Sequence, residues 1–208
     1  MCATSQRSSS PHRGAANTRA RLIDAARVEF SEKGIECATT RSIAERAQCN
    51  EVTLFRHFES KQKLLAAVVR DTSEEFRALC ESPLEMSGDL RGDLERYALV
   101  YNKSLEGCEG MMRALIGEGR RRPLLTKELI GDVLAPFHQS IADYLEKEAK
   151  AGTVRNDVEA MPFAEIFTST LMGGLLLRTS GLSMLDRDAW IRETVELLAR
   201  GVEVCAPR

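Results

Sequence analysis

Histidines and aromatics are scarce in this 208-residue chain, with three His, one Trp and 5% aromatics in all. Few side chains are therefore available for acid–base chemistry. The six cysteines stand at 2, 37, 49, 80, 108 and 205, with no CxxC pair and no second His at metal spacing. That pattern argues against a zinc site. There is no Gly-rich phosphate loop and no GxSxG elbow. No nucleophile, base and orienter spacing appears, and no paired carboxylates stand out. Neither a catalytic residue nor a cofactor is expected. No apolar run nears 18 residues, and the first residues lack the apolar stretch of a signal peptide. The expectation is a reduced, cytoplasmic protein with no membrane partner, whose cysteines act as small apolar residues.

What is present is a core and an uneven charge. Hydrophobic residues make up 43% of the chain, enough for a folded body. The net charge is −2. Residues 1–63 hold 11 Lys/Arg against 7 Asp/Glu, while residues 64–208 hold 18 against 24. A basic front and an acidic remainder suit an end that faces nucleic acid and a body with another task.

The chain reads as helix after helix. Residues 1–17 are Ser-rich, carry Arg7 and Arg13 without an acid, and read as a flexible basic arm. "TRARLIDAARVEFSEKG" places Leu22, Ala26 and Phe30 at i, i+4 and i+8, with Gly34 as the stop. "TTRSIAERA" follows, capped by Thr39 or Thr40 and burying Ile43, Ala44 and Ala47. The turn "QCN" leads to "EVTLFRHF". Ser60 then caps a long helix carrying Leu64, Leu65, Val68, Val69, Phe76 and Leu79, which ends before Pro83. Further helices are expected near 89–106, 109–119, 124–150, 160–180 and 187–204, making nine in an all-α chain.

Two short helices joined by a tight turn form a helix-turn-helix when the second keeps one side exposed. In "EVTLFRHF", Leu54 and Phe58 share a face and can pack on Phe30, Ile43 and Ala47. Thr53, Arg56 and His57 lie at i, i+3 and i+4 on another face. A hydroxyl, a guanidinium and an imidazole suit phosphate oxygens and base edges. The helix starts at "TTRSI" and "SKQKL" add free backbone N–H groups for phosphates, beside Thr40, Arg41, Ser60 and Lys61.

Residues 21–65, "RLIDAARVEFSEKGIECATTRSIAERAQCNEVTLFRHFESKQKLL", resemble the DNA-binding domain of the TetR family of transcriptional regulators. The resemblance implies a reading head over 18–64 and a helical effector-binding and dimerisation body over 65–208. It implies DNA contacts from Thr40, Arg41, Asn50, Glu51, Val52, Thr53, Phe55, Arg56, His57 and Lys61. Three of these depart from the family's habit. Val52 stands where Gly is frequent, Phe55 where a Tyr hydroxyl reaches phosphate, and Glu51 where a neutral or basic residue is usual.

The implied partners are a double-stranded palindromic operator, a second copy of the chain and a small-molecule effector. The effector pocket is expected among Tyr97, Tyr101, Met111, Met112, Phe137, His138 and Phe167, an apolar set. The homodimer interface is expected at Phe167, Leu171, Gly174, Leu175, Trp190, Val195, Leu198 and Val202 on the last two helices. The function expected is a ligand-responsive repressor. A ligand-independent DNA-binding regulator and a small helical enzyme stay open as alternatives.

Overall fold

The computed structural model describes residues 11–80 and 86–204. Among them are eight α-helices: α1 (Pro11–Cys37), α2 (Thr40–Arg46), α3 (Glu51–Phe58), α4 (Lys61–Cys80), α5 (Leu90–Glu118), α6 (Pro123–Ala151), α7 (Ala160–Thr179) and α8 (Arg187–Val202). The all-α class holds, and the only β pairing described is an isolated antiparallel bridge between Val154 and Glu203. That bridge ties the end of the described chain to the turn after α6.

Three boundaries differ from expectation. Helix α1 begins at Pro11, so residues 11–17 are helical rather than part of an arm. A proline sets φ for the first helical turn and lacks only an N–H that would be unpaired there. Residues 1–10 of the expected arm lie outside the described residues, as do the stop at Pro83 and the side chains of Phe76 and Leu79. Secondly, 89–106 and 109–119 form one helix, α5, without a break at Gly107. An interior glycine costs about 1 kcal/mol against alanine. Burial of Leu105, Cys108, Met111, Met112 and Leu115 on either side outweighs that cost. Thirdly, α1 does not simply stop at Gly34. It breaks there, with φ 78° and ψ 161°, and then resumes for one turn to Cys37.

Helix α5 is the axis of the molecule, packing on α1, α4, α6, α7 and α8. Its contact with α1 joins the N-terminal helices to the rest of the described chain. A Cβ at Gly110 would lie 2.6 Å from Cβ of Ser31, so glycine sets the closeness of that joint. Helix α7 has the length and hydropathy of a bilayer span, contrary to the expectation from its sequence. It buries Phe163, Phe167, Leu171 and Leu175 and packs on α5, α6 and α8, which accounts for its apolar character.

A polar node lies inside the body. Asp93 is fully buried. Its carboxylate accepts from Ser87 N (3.0 Å), Ser87 Oγ (2.9 Å), Gly88 N (3.0 Å), Tyr144 Oη (2.8 Å) and the Arg96 guanidinium. Burial alone would raise its pKa; the hydrogen bonds from Ser87, Arg96 and Tyr144 outweigh it and hold the pKa down to about 2. The node fastens the segment before α5 to α5 and α6.

Candidate nucleic-acid interface

Helices α2 and α3 are placed by local chemistry. Thr39 caps α2: its Oγ1 accepts from Ser42 N at 3.0 Å, and Ser42 Oγ accepts from Thr39 N at 3.3 Å. The turn passes through Gln48 at φ 54°. Arg21 from α1 donates to the carbonyls of Ala47 and Gln48, satisfying the open end of α2. Asn50 caps α3, accepting from Thr53 N at 2.8 Å and from Thr53 Oγ1 at 2.7 Å.

Glu29, which the sequence reading passed over, holds the motif from beneath. It is 2% exposed and accepts from Lys33 Nζ (2.7 Å), Ser42 Oγ (2.8 Å) and Arg46 Nε (2.8 Å). The Lys33 bond leads these in holding its pKa down to about 2, against the opposing effect of burial. Its signal in the sequence was faint: an acid on the α1 face that also carries Ala25, Ala26 and Phe30, where a solvated residue would not sit.

Leu54 and Phe58 are buried, as expected, and fix α3 to the head. The opposite face is arranged differently from the expected triplet. Arg56 is exposed at its centre. Val52 is 76% exposed and Phe55 43%, so two apolar side chains flank the guanidinium. Thr53 is half-buried and already paired with Asn50. His57 lies at the edge of that face. Its ring is half-buried 6.2 Å from that of Phe58, and its Nε2 is covered, without a partner among the described residues. One hundred degrees per residue carries position 57 round toward the buried side of the helix, whereas Val52 falls beside Arg56.

The remaining expected contacts are already engaged within the head. Thr40 Oγ1 donates to the Glu51 carboxylate, linking the starts of α2 and α3. Arg41 pairs with Glu45 at 3.0 Å and stays exposed. Lys61 Nζ donates to the Glu36 carbonyl at 3.0 Å, and burial there lowers its pKa. Ser60 Oγ accepts from Lys63 N at 3.1 Å, capping α4.

In the body, Tyr97, Tyr101, Met111, Met112, Phe137 and Phe167 are all buried. Tyr101 and Phe137 stack at 4.8 Å, and Tyr97 meets Phe137 edge-on at 5.8 Å. The two methionines and three rings lie on α5 and α6, with Phe167 on α7. His138 is half-buried with Nε2 2.7 Å from Thr168 Oγ1, which itself donates to the Ala164 carbonyl at 2.9 Å. Burial pushes its pKa down.

Six of the eight expected interface residues require correction. Phe167, Leu171, Gly174, Leu175, Val195 and Val202 are buried within one chain, and Trp190 and Leu198 are half-buried. Gly174 is taken up by Trp190: a Cβ there would lie 2.2 Å from the indole Nε1, which donates to Thr170 O at 3.1 Å. Nearly uniform apolarity around α7 concealed which stripe faces inward. The outward stripe is Ile166 (55% exposed), Gly173 and Leu177 (40%), beside Leu197 (70%) on α8.

Comparison with known proteins places both parts of the chain in one family. Residues 22–68 match the family model "Bacterial regulatory proteins, tetR family", and residues 84–198 match "Tetracyclin repressor-like, C-terminal domain". The chain belongs to the TetR family. It is a helix-turn-helix DNA-binding transcriptional regulator. It is 29% identical over 191 residues to YvkB of Bacillus subtilis, an uncharacterised regulator of the same type, covering 89% of this chain and 97% of that one. It is 24% identical over 153 residues to the transcriptional repressor KstR2 of Rhodococcus jostii, covering 70% and 72%. Its fold matches that of FadR from Bacillus subtilis in complex with stearoyl-CoA. That match has a TM-score of 0.75 and 17% identity, and covers 88% and 99% of the two chains.

Proposed function

We propose that this TetR-family protein is a homodimeric repressor that releases a palindromic operator when a small molecule binds its body. The observation that carries the reading is the outward face of α3. It presents Arg56 between two exposed apolar side chains on a helix whose other face is anchored by Leu54 and Phe58. Arginine recognises guanine O6 and N7 in the major groove, and apolar groups meet the thymine methyl. Val52 and Phe55 therefore bias the operator toward thymine beside a guanine. Arg41 and the backbone N–H groups at the start of α2 position the head on phosphate, with Thr53 and Asn50 fixing α3. Glu51, held by Thr40, acts within the head instead of on the bases.

The head is assigned to residues 18–64, and the effector and dimerisation body to 65–208. The dimer forms on the outward stripe of Ile166, Gly173, Leu177 and Leu197. Pairing two copies there would bury a continuous apolar surface across α7 and α8. The effector takes the region of Tyr97, Tyr101 and Phe137. Their apolar character suits an apolar compound, as does the stearoyl-CoA complex of FadR. The effector favours a form with misplaced heads and needs a preference of about 1–3 kcal/mol to lower occupancy. The site calls for no enzymatic step, and the cytoplasm is where the operator lies.

A mobility-shift titration of the whole protein on the DNA upstream of its own gene tests the reading. We expect a retarded complex that a metabolite and acyl-compound screen dissolves. No complex on that DNA or on a selected-sequence library would overturn it.

A further inference from the structure

A cleft lies at the joint between α1 and α5. An open cleft of about 760 Å³ separates the last turn of α1 from the C-terminal end of α5, with Cys37 exposed in its wall. Most of its charged lining groups are committed elsewhere. Lys33 is bonded to Glu29 (2.7 Å), Glu36 to Arg122 (3.0 Å), and Arg113 to Thr179 (2.5 Å) and Glu109. Three groups are left. Arg120 is exposed and makes no ion pair among the described residues. Arg121 comes no closer than 4.0 Å to Glu118. Glu118 is only 7% exposed, yet its Oε2 has no hydrogen-bond partner, the nearest cation being Arg122 Nε at 4.0 Å.

A buried carboxylate oxygen without a donor is costly, and such an atom marks an acceptor waiting for a ligand. Arg120, unpaired among the described residues, and Arg121, held only at 4.0 Å from Glu118, supply charge for an anion. We propose that this cleft binds a small carboxylate carrying a neighbouring hydroxyl or ammonium group. The carboxylate meets Arg120 and Arg121, and the donor meets Glu118. The position gives the site leverage, because the Arg122–Glu36 bridge beside it links body to head. An occupant sets the head's angle by a route separate from the aromatic pocket. This regulatory role rests on the repressor reading; the binding site itself does not.

The test uses the whole protein and reads Cys37 directly. Alkylation of Cys37 by N-ethylmaleimide is followed by peptide mass spectrometry with L-malate, citrate, L-alanine or L-glutamate each present alone. The two hydroxy acids and two amino acids distinguish a hydroxyl from an ammonium donor. We expect one class to slow alkylation saturably. Glu118→Gln and the Arg120→Ala, Arg121→Ala double variant should each weaken that protection about tenfold or more. Mobility shifts on the same samples should show a matching change in operator affinity. No protection by any of the four up to about 10 mM, where binding free energies fall below those of specific sites, would overturn the proposal. So would equal protection in both variants. Protection in a protein that binds no DNA would leave the site standing and remove the repressor reading.

Discussion

Arg56 and His57 are neighbours with separate tasks. Arg56 is exposed on the reading face, while the His57 ring is half-buried beside Phe58. Arg56→Ala should lower operator affinity by about 1–3 kcal/mol and relax one base position, with an unchanged melting temperature. His57→Ala should show the reverse emphasis, a lower melting temperature with a smaller effect on DNA. Paired thermal melts and mobility shifts check both. Equal behaviour of the two variants would return His57 to the reading face. Two buried carboxylates set the acid limit. Asp93 and Glu29 both sit at a pKa of about 2, below their ordinary values of 3.8 and 4.5. A lowered folded pKa gives stability that is present above the unfolded value and lost as pH falls toward the folded one. Stability should therefore drop between about pH 4.5 and 2, by about 2–3 kcal/mol for each carboxylate. Asp93→Asn should flatten part of that slope in urea titrations across this range.

At the scale of elements, the pattern of the head was legible because each residue type has few alternatives there. A threonine at a cap, an apolar pair four apart and a glycine at a positive φ each name their place. Exposure around α3 was less legible, since polarity suggested that the His57 ring faces fully outward. The structure half-buries it, because side-chain direction follows helical angle before chemistry. The body was harder. Tertiary packing overrode Gly107 in α5, and an apolar α7 gave no phase from which to read its buried side. Gly174 shows what the sequence could not: its close approach serves Trp190 of the same chain, not a partner. Gly174→Ala gains about 1 kcal/mol of helix propensity. It must also displace the indole, at about 1–3 kcal/mol of overpacking, and break the bond to Thr170 O, worth about 0.5–1.5. The net should be a destabilised protein with red-shifted emission from its single tryptophan. Fluorescence during thermal unfolding reads both effects, and a variant as stable as the parent with unshifted emission would contradict the packing.

For the whole molecule, the proposed dimer holds two heads at a fixed separation. Ile166 and Leu197 stand exposed on the outward faces of α7 and α8. Leu197→Glu should yield a helical monomer by light scattering, because a charge there disrupts association without touching the core. Operator affinity should fall with it, since one head reads too few bases alone. An intact dimer in this variant would move the interface elsewhere. The central claim, that paired α3 helices read a palindrome, is tested most directly by hydroxyl-radical and methylation footprinting of the operator complex. The account predicts two major-groove footprints about one helical turn apart, roughly 34–36 Å, related by two-fold symmetry. Both should be lost together in Arg56→Ala. A single footprint, minor-groove protection, or a pattern unchanged in Arg56→Ala would contradict it.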